Sequence, residues 1–591
     1  MFRKTNPQTS LLEAGWLLPS KKRQRLEKSW AHAFRTRVMP HIDEEPFRNA
    51  FCADNGRPNF SIRLLTGVHL LKETNDLTDE QVIDQVEYNL QWQHALGITP
   101  EQAHLVQRTM HSYRVKLMDS ARARTMFEDL TRKLAVAEGV STGRQRLDST
   151  HVMSNIAVLT RLGLFCETVT HLLRTLQREL AGVLDELDGR FRRRYLEREG
   201  YFADAKKEQA RRRLPVVAAD VHELVHALQD NEQVRELEAY RLLLRLWQEQ
   251  CEVVQDDDDD DREAGGVADQ GDREAGEPKV KLREPKTVSS SSLQSPHDPD
   301  ATYGHKGKGY EVQISETCGE DNPVQLVTGV AVNGAHESDQ AALVPMVEQL
   351  SESGMAPDEL IADTGYGSGA NIVAAAERGV DLQAPVQDPG APPPTDAFLT
   401  AGEPVADEAI AIAPDASTEP DSEPLPIDDD WLRSQLPDGI DLASFAFTST
   451  FQRLLACPND HAPTSQQVTG TTLTATFSSE HCGACPLSCL CPTRELKDGR
   501  RQLRRAPATI ATEARQHEQR TTTFKEAYKI RSGVEATNST LKGRHGLGRP
   551  RVRGRPRLEV AVLLKTLALN TWRVVQHHVE LARQDGEPCP A

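Results

Sequence analysis

Residues 528–542 read Tyr-Lys-Ile-Arg-Ser-Gly-Val-Glu-Ala-Thr-Asn-Ser-Thr-Leu-Lys. Wound as one helix, at about 100° per residue, the segment gathers Tyr528, Arg531, Glu535 and Lys542 within an arc of roughly 60°. Ala527, Ile530, Val534 and Leu541 form a second stripe about 100° away, the apolar face that a helix needs to lie on a sheet. Six arginines follow, at 544, 549, 551, 553, 555 and 557. A carboxylate flanked by cations and trailed by a basic loop suits a metal-holding residue beside a phosphate backbone. The same composition also suits an amphipathic surface helix with ordinary charges, so the rest of the chain has to decide.

The spacing carries more information than the composition. Tyr528, Arg531, Glu535 and Lys542 stand in a pattern that resembles the C-terminal signature of DDE transposases of bacterial insertion sequences. The resemblance implies an α/β (α+β) chain with a ribonuclease-H-like catalytic domain. In it Glu535 is the third member of an Asp-Asp-Glu metal triad, and Arg531 and Lys542 contact the element's terminal DNA. Two aspartates in strand settings are then required. Gln145 to Ala157 is a plausible strand with Asp148 near its start, and the family carries its first catalytic Asp in a similar Asp-Ser-Thr setting. Glu359 to Gly367 is an apolar strand that ends in Asp363 and drops into a Gly-rich turn. That places the carboxylate at a strand's C-terminal edge, where α/β sites form. The plainer alternative is an Asp capping a helix from about Ala370 to Arg378; the family's second-Asp motif is very similar to this stretch.

Taken as an average, net charge argues against a nucleic-acid partner, since 88 Asp and Glu face 70 Lys and Arg for a formal charge of −18. Its distribution reverses that reading. Residues 494–573 hold 20 Lys and Arg against 7 Asp and Glu, whereas 391–430 hold 11 acids and no Lys or Arg. Asp256 to Asp261 form an unbroken acidic run. The opening MFRKTNPQTS lacks the apolar core of a signal peptide, and Val560 to Leu569 is too short to span a bilayer. The expectation is a cytoplasmic, nucleoid-associated protein without a membrane partner, and one without a disulfide framework.

Composition divides the chain as follows. Residues 1–125 read as a helical N-terminal domain, with Ser61 capping one helix and Thr78 with Gln81 forming a capping box for the next. Its stretch from Ser61 to Ile98 is similar to the N-terminal domain of the same transposase group, which implies DNA binding. Residues 140–160 carry the first catalytic strand. Residues 161–250 read as an inserted helical hairpin, in which Val169, Leu173, Leu176, Leu180, Val183 and Leu187 make a heptad-like seam and a second helix runs over about 217–250. Residues 251–297 read as a disordered acidic linker, and 298–388 as the catalytic core. There Tyr310, Val312 and Ile314 alternate as a strand, Val324 to Val332 gives its hairpin partner, and Ser338 can cap a helix. Residues 389–430 read as a disordered acidic, Pro-rich linker and 431–500 as a Cys-rich insertion. Residues 501–580 hold the Glu535 helix, the basic loop and a packing helix from Leu558 to His577, with Gly543 as a natural helix stop.

Two further motifs bear on metals. His222-Glu223-Leu224-Val225-His226 is an H-E-x-x-H string, which on a helix can bind zinc with Glu223 as general base and Glu238 or Glu249 as a nominal third ligand. It lacks the longer continuation of the known zinc proteases and sits inside the hairpin, so a chance match within a structural helix is the plainer reading. Cys457, Cys482, Cys485, Cys489 and Cys491 include one C-x-x-C pair and suit either a small structural zinc knuckle or free thiols. Similar cysteine-rich inserts occur in the resembled family, which favours a structural role.

The function that the resemblance implies is DNA transposition: cleavage at insertion-sequence ends and strand transfer into target DNA. Asp148, Asp363 and Glu535 would hold two Mg²⁺ or Mn²⁺ ions, hard cations suited to oxygen ligands. Tyr528, Arg531, Lys542, Arg544, Arg549, Arg551, Arg553 and Arg555 would contact double-stranded DNA, both terminal inverted repeats and target, and the protein would act as a homodimer. Three alternatives stay open: a ribonuclease-H-fold nuclease without strand transfer, a non-catalytic DNA-binding protein derived from a transposon, and, remotely, a zinc hydrolase at His222, Glu223 and His226.

Overall fold

In the computed structural model of the protein, the described residues are 1–5, 18–52, 58–118, 121–155, 159–197, 207–254, 279–388 and 440–584. The expected linkers lie largely outside them, at 255–278 and 389–439. Helices and sheets are mixed, and the chain divides into two compact units: residues 1–357 with 532–591, and residues 358–531.

The first unit is built on an antiparallel sheet. Arg144–Met153 pairs with Gly307–Thr317, placing Asp148 opposite Ile314, and Gly307–Thr317 pairs in turn with Val327–Gly334. Asp148 is therefore central in its strand rather than near the start. Strand alternation sends Val152, Val312, Ile314, Val330 and Val332 into a shared core. The helix over that core is Arg555–Gln584, longer at both ends than its apolar run suggests. It buries Leu563, Leu567 and Val574 among the N-terminal Phe34, Leu70 and Phe127. Each such side chain contributes roughly 1.5–3 kcal/mol by leaving water. Asn570 ties this helix to the sheet: its Oδ1 accepts the Val327 N–H at 2.8 Å and its Nδ2 donates to the Val327 carbonyl at 2.7 Å. In the N-terminal region Ser61 accepts the Leu64 N–H at 3.1 Å, and Thr78 with Gln81 closes the capping box. These are the helix starts expected from sequence, each worth about 1 kcal/mol.

The helical hairpin of the same unit has its own core, around Val169, Leu173, Leu176, Val217, Val221, Leu224 and Leu243. Its seam is shorter than expected, because Arg161–Glu179 ends and Ala181–Glu186 begins afresh, leaving Leu180, Val183 and Leu187 only half-buried. The second helix is likewise three: Lys207–Leu228, Glu232–Glu236 and Glu238–Gln250, restarted where Asn231 accepts the Val234 N–H. The linker expected to reach 297 is ordered well before that. Lys279–Leu282 pairs antiparallel with Cys251–Val254, and Arg245 donates to the carbonyls of Ser291 (2.9 Å) and Pro299 (3.0 Å).

The second unit holds a parallel pair, Glu359–Ala362 with Asp381–Gln383, joined through the helix Gly369–Ala376. Gly369 lies against the helix Pro507–Glu518, where an added Cβ would stand 1.8 Å from the Ala508 carbonyl oxygen. A small antiparallel sheet of Ser465–Thr469, Thr472–Phe477, Arg501–Arg505 and Arg494–Glu495 completes it, around Leu473, Phe477 and Leu503. Among the described residues no helix is long and apolar enough to cross a membrane.

Candidate active site

The stretch 528–542 is not one helix. Thr522–Tyr528 runs into a 3-10 turn, Lys529–Ser532, and a new helix covers Gly533–Gly543. The restart falls where the backbone meets Arg146: a Cβ on Gly533 would stand 1.9 Å from Nη1 of that guanidinium. The single arc expected from an uninterrupted period therefore does not form. Val534 and Leu541 of the expected apolar stripe are buried, whereas Ala527 is exposed. The helix ends at Gly543, as expected, and the chain turns at Gly546, whose φ is +64°.

Glu535 lies in the first turn of Gly533–Gly543, on its exposed side, and the opposite side is anchored by a buried ionic network. Its centre is Glu316, wholly buried in the Gly307–Thr317 strand. Glu316 accepts from Arg146 Nε (2.8 Å), Thr537 Oγ1 (2.6 Å) and Arg573 Nη1 (2.5 Å), and Arg573 Nη2 donates to Thr537 Oγ1 at 2.6 Å. One residue on, Asn538 donates from Nδ2 to Asp148 Oδ2 at 3.0 Å. The helix of the third acidic candidate is thus hydrogen-bonded to the first. None of Arg146, Glu316, Thr537, Asn538 or Arg573 was singled out from sequence. Two signals were present: Asn538 is three residues from Glu535, a same-face spacing, and Glu316 interrupts the inward apolar positions of its strand.

Asp363 belongs to the second unit and is held differently. It follows Glu359–Ala362 directly, its Oδ1 accepts the Gly365 N–H at 2.8 Å, and its backbone carbonyl accepts the Tyr366 N–H at 3.1 Å. It does not cap the following helix; Ser368 does, accepting the Asn371 N–H at 3.2 Å. Arg531 Nη2 stands 3.5 Å from Asp363 Oδ2, and the Tyr528 hydroxyl donates to the Ala362 carbonyl at 3.2 Å. Within this unit, two residues of the signature therefore converge on the end of the Asp363 strand.

The basic loop is tied to its own unit. Arg551 pairs with Asp76 at 3.0 Å, Arg553 Nε donates to the Asn155 carbonyl at 2.7 Å, and the Arg555 guanidinium stands 3.8 Å from Glu337. Arg544 lies over the Trp572 ring. Arg549, Arg551 and Arg557 line a cavity of about 610 Å³ with Lys72, Arg114 and Lys542, partly countered by Glu73, Asp76 and Asp79. Burial lowers the Lys542 ammonium from its ordinary value, as does nearby Lys306, while Glu311 and Asp148 oppose that shift.

The side chains of the H-E-x-x-H string are engaged in packing and ion pairing. His222 and His226 pack edge-to-face with ring centroids 4.3 Å apart, both against Trp247, and Glu223 is paired with Arg190. Glu249 is used by Arg245 and by the Leu293 N–H at 2.7 Å. The cysteines 457, 482, 485, 489 and 491 are free; all but Cys489 line a cavity of about 30 Å³. Among the described residues no group of three or more His, Cys, Asp or Glu side chains is placed to hold a metal ion. That finding lends support neither to the zinc-hydrolase reading nor to the zinc knuckle, and it applies equally to the three carboxylates. The carboxylates still fit a hard cation by donor chemistry. Asp148, Asp363 and Glu535 offer only oxygen, and beside Asp148 the buried Asn538 Oδ1 is an acceptor with no hydrogen-bond partner among the described residues.

Comparison with known proteins bears on both ends of the chain. No curated protein and no solved structure matches it. Residues 456–575, which include Glu535, match a family model described as transposase DDE domain. Residues 23–116 match a second, described as transposase domain (DUF772). The chain is thus similar to transposases at both its N-terminal helices and its C-terminal segment, and the two matches together support a transposase of the DDE type.

Proposed function

We propose that this protein is a DNA transposase that cleaves the ends of an insertion sequence and joins the freed 3′-hydroxyl to target DNA, on a ribonuclease-H-like catalytic fold. The observation that carries the reading is the hydrogen bond from Asn538 to Asp148, which holds the Glu535 helix on the Asp148 strand within a chain that matches transposase families. An antiparallel sheet bearing Asp148 and a parallel pair that leads into Asp363 are the strand types that a ribonuclease-H-like domain combines.

Asp148, Asp363 and Glu535 are the residues assigned to hold Mg²⁺ or Mn²⁺. Bound there, such ions would supply activation of a water or 3′-hydroxyl and stabilisation of the leaving oxygen. The chain's own residues do the rest. Glu316 and its arginines keep the Glu535 helix from rotating. Arg531, beside Asp363, holds the phosphate near the scissile bond, and Lys542 and the loop from Arg544 to Arg557 add affinity for the DNA backbone, so binding should weaken steeply with salt. Tyr528, bonded to the strand that ends at Asp363, positions that edge. Assembly as a homodimer on paired ends belongs to the same reading.

The test is Mg²⁺-dependent nicking of DNA that carries candidate element ends, comparing wild type with Glu535→Gln. Loss of nicking with DNA binding retained is the expected result; equal nicking by both sinks the triad. Incubating cleaved ends with target DNA separates a transposase, which joins them, from a nuclease, which does not.

A further inference from the structure

Six arginines between positions 544 and 557 repel one another, so the loop that carries them needs opposing contacts to keep one shape. Two distant segments of the same unit supply them. The Gly548 carbonyl accepts the Met153 N–H at 3.3 Å, and Arg553 Nε donates to the Asn155 carbonyl at 2.7 Å. Farther along, the Gly554 N–H donates to Asp298 Oδ1 and the Arg555 N–H to Asp300 Oδ2, each at 3.1 Å. Asp298 is only 1% exposed and, among the described residues, forms no ion pair; besides Gly554 it is met by the Tyr310 hydroxyl at 2.6 Å and by that of Ser154. A carboxylate is rarely buried so completely without a counter-charge, because its desolvation is expensive. Tyr310 lies in the Gly307–Thr317 strand and Ser154 directly after Arg144–Met153, so Asp298 fastens the loop to the sheet.

The plain alternative is helix capping, since the two carboxylates satisfy N–H groups at the start of Arg555–Gln584, as anions do at helix N-termini. Capping accounts for those two bonds and not for the ones at Gly548 and Arg553, which lie before the helix. The tethered stretch is flanked by Arg549 and Arg557. Both are exposed, both line the cavity shared with Lys72 and Arg114, and neither forms an ion pair among the described residues. We infer that Asp298, assisted by Asp300, is a positioning residue for DNA binding: it fixes the basic loop so that the guanidiniums of Arg549 and Arg557 meet the phosphate backbone in a set arrangement. The inference rests on the transposase reading for its DNA.

The test uses the full chain and a random-sequence DNA duplex. Binding is followed over a range of salt in wild type, Asp298→Ala and Asp300→Ala, with thermal melting recorded for each. Each phosphate contact contributes about 0.9 to the slope of log affinity against log salt. Loss of Arg549 and Arg557 from the backbone should therefore lower that slope by about 2 in Asp298→Ala, a change that a smaller folded fraction does not produce. Trypsin should also cut after Arg551 and Arg553 roughly 10-fold faster, because losing a hydrogen bond to a carboxylate lets the loop open. Should Asp298→Ala fail to fold, Asp300→Ala, at an exposed position, carries the same expectation with a slope lower by about 1. A wild-type slope in the folded variant overturns the inference while leaving the transposase reading intact. A wild-type chain that does not bind the duplex overturns both.

Discussion

Asp148 and Asp363 are assigned the same chemistry, yet the protein holds them by opposite means. Asp148 lies in the middle of a long strand, 7% exposed, and touches a helix almost 400 residues later in the chain, at Asn538. Around it the charges are buried and interlocked, with Glu316 serving Arg146, Thr537 and Arg573 together. Asp363 is held by its own turn, through the Gly365 N–H, and by one arginine at 3.5 Å with about a third of its side chain open to water. The first carboxylate depends on long-range packing, the second on local backbone geometry. Damage around Asp148 should therefore cost fold stability as well as any activity, whereas damage at Asp363 should spare the fold.

The sharpest way to break the contrast is Glu316→Ala. Two guanidiniums, Arg146 and Arg573, would lose their buried counter-charge, and removing one partner of such a group costs about 3–5 kcal/mol. Urea denaturation should show that loss. Wild-type stability in this variant would mean that the network is ornamental.

Acid should act on the same region. His545 follows the Glu535 helix, with Nδ1 bonded to the Glu73 carbonyl, and burial pulls its pKa from 6.5 down to about 4. It is neutral in the folded chain and takes up a proton more readily when unfolded, so its contribution is complete above about pH 6.5 and fades as pH falls toward 4. A decline of roughly 1–3 kcal/mol across that window is expected. His545→Asn should flatten the pH dependence of the urea midpoint; an unchanged slope would remove His545 from the account.

A smaller effect is expected from Gly533→Ala, whose new methyl group must displace the Arg146 guanidinium. Overpacking of this sort costs roughly 1–3 kcal/mol, toward the lower end where a side chain can yield. Comparing melting temperatures with Gly543→Ala, where nothing stands within 4 Å of an added Cβ, isolates the clash. The smallest effect belongs to Asp363→Asn. Its partly exposed ion pair is worth about 0–1 kcal/mol, so the melting temperature should scarcely move while nicking is lost. A large fall in stability would show that the two carboxylates are held alike after all.

Much of the local order was readable from neighbouring residues alone. The caps at Ser61 and Thr78, the strand that delivers Asp363 and the alternating Tyr310, Val312 and Ile314 are set by interactions within a few positions of the chain, and periodicity reports those directly. The basic segment after Lys542 was visible as composition, but the use of Arg551, Arg553 and Arg555 by Asp76, Asn155 and Glu337 was not.

What tertiary structure alone decided lies where distant segments meet. The spacing of Tyr528, Arg531, Glu535 and Lys542 pointed to a shared site, but the continuous helix assumed for it is interrupted by the 3-10 turn Lys529–Ser532, just ahead of Gly533, which packs against Arg146. Glu316 read as one more strand residue until three donors from three other segments closed on it. The H-E-x-x-H string had the right spacing for zinc and became packing for Trp247, with its glutamate spent on Arg190. Spacing along the chain determines which side chains can share a face. Whether they meet a ligand or one another depends on what the fold brings against that face, and that information is spread over the whole sequence.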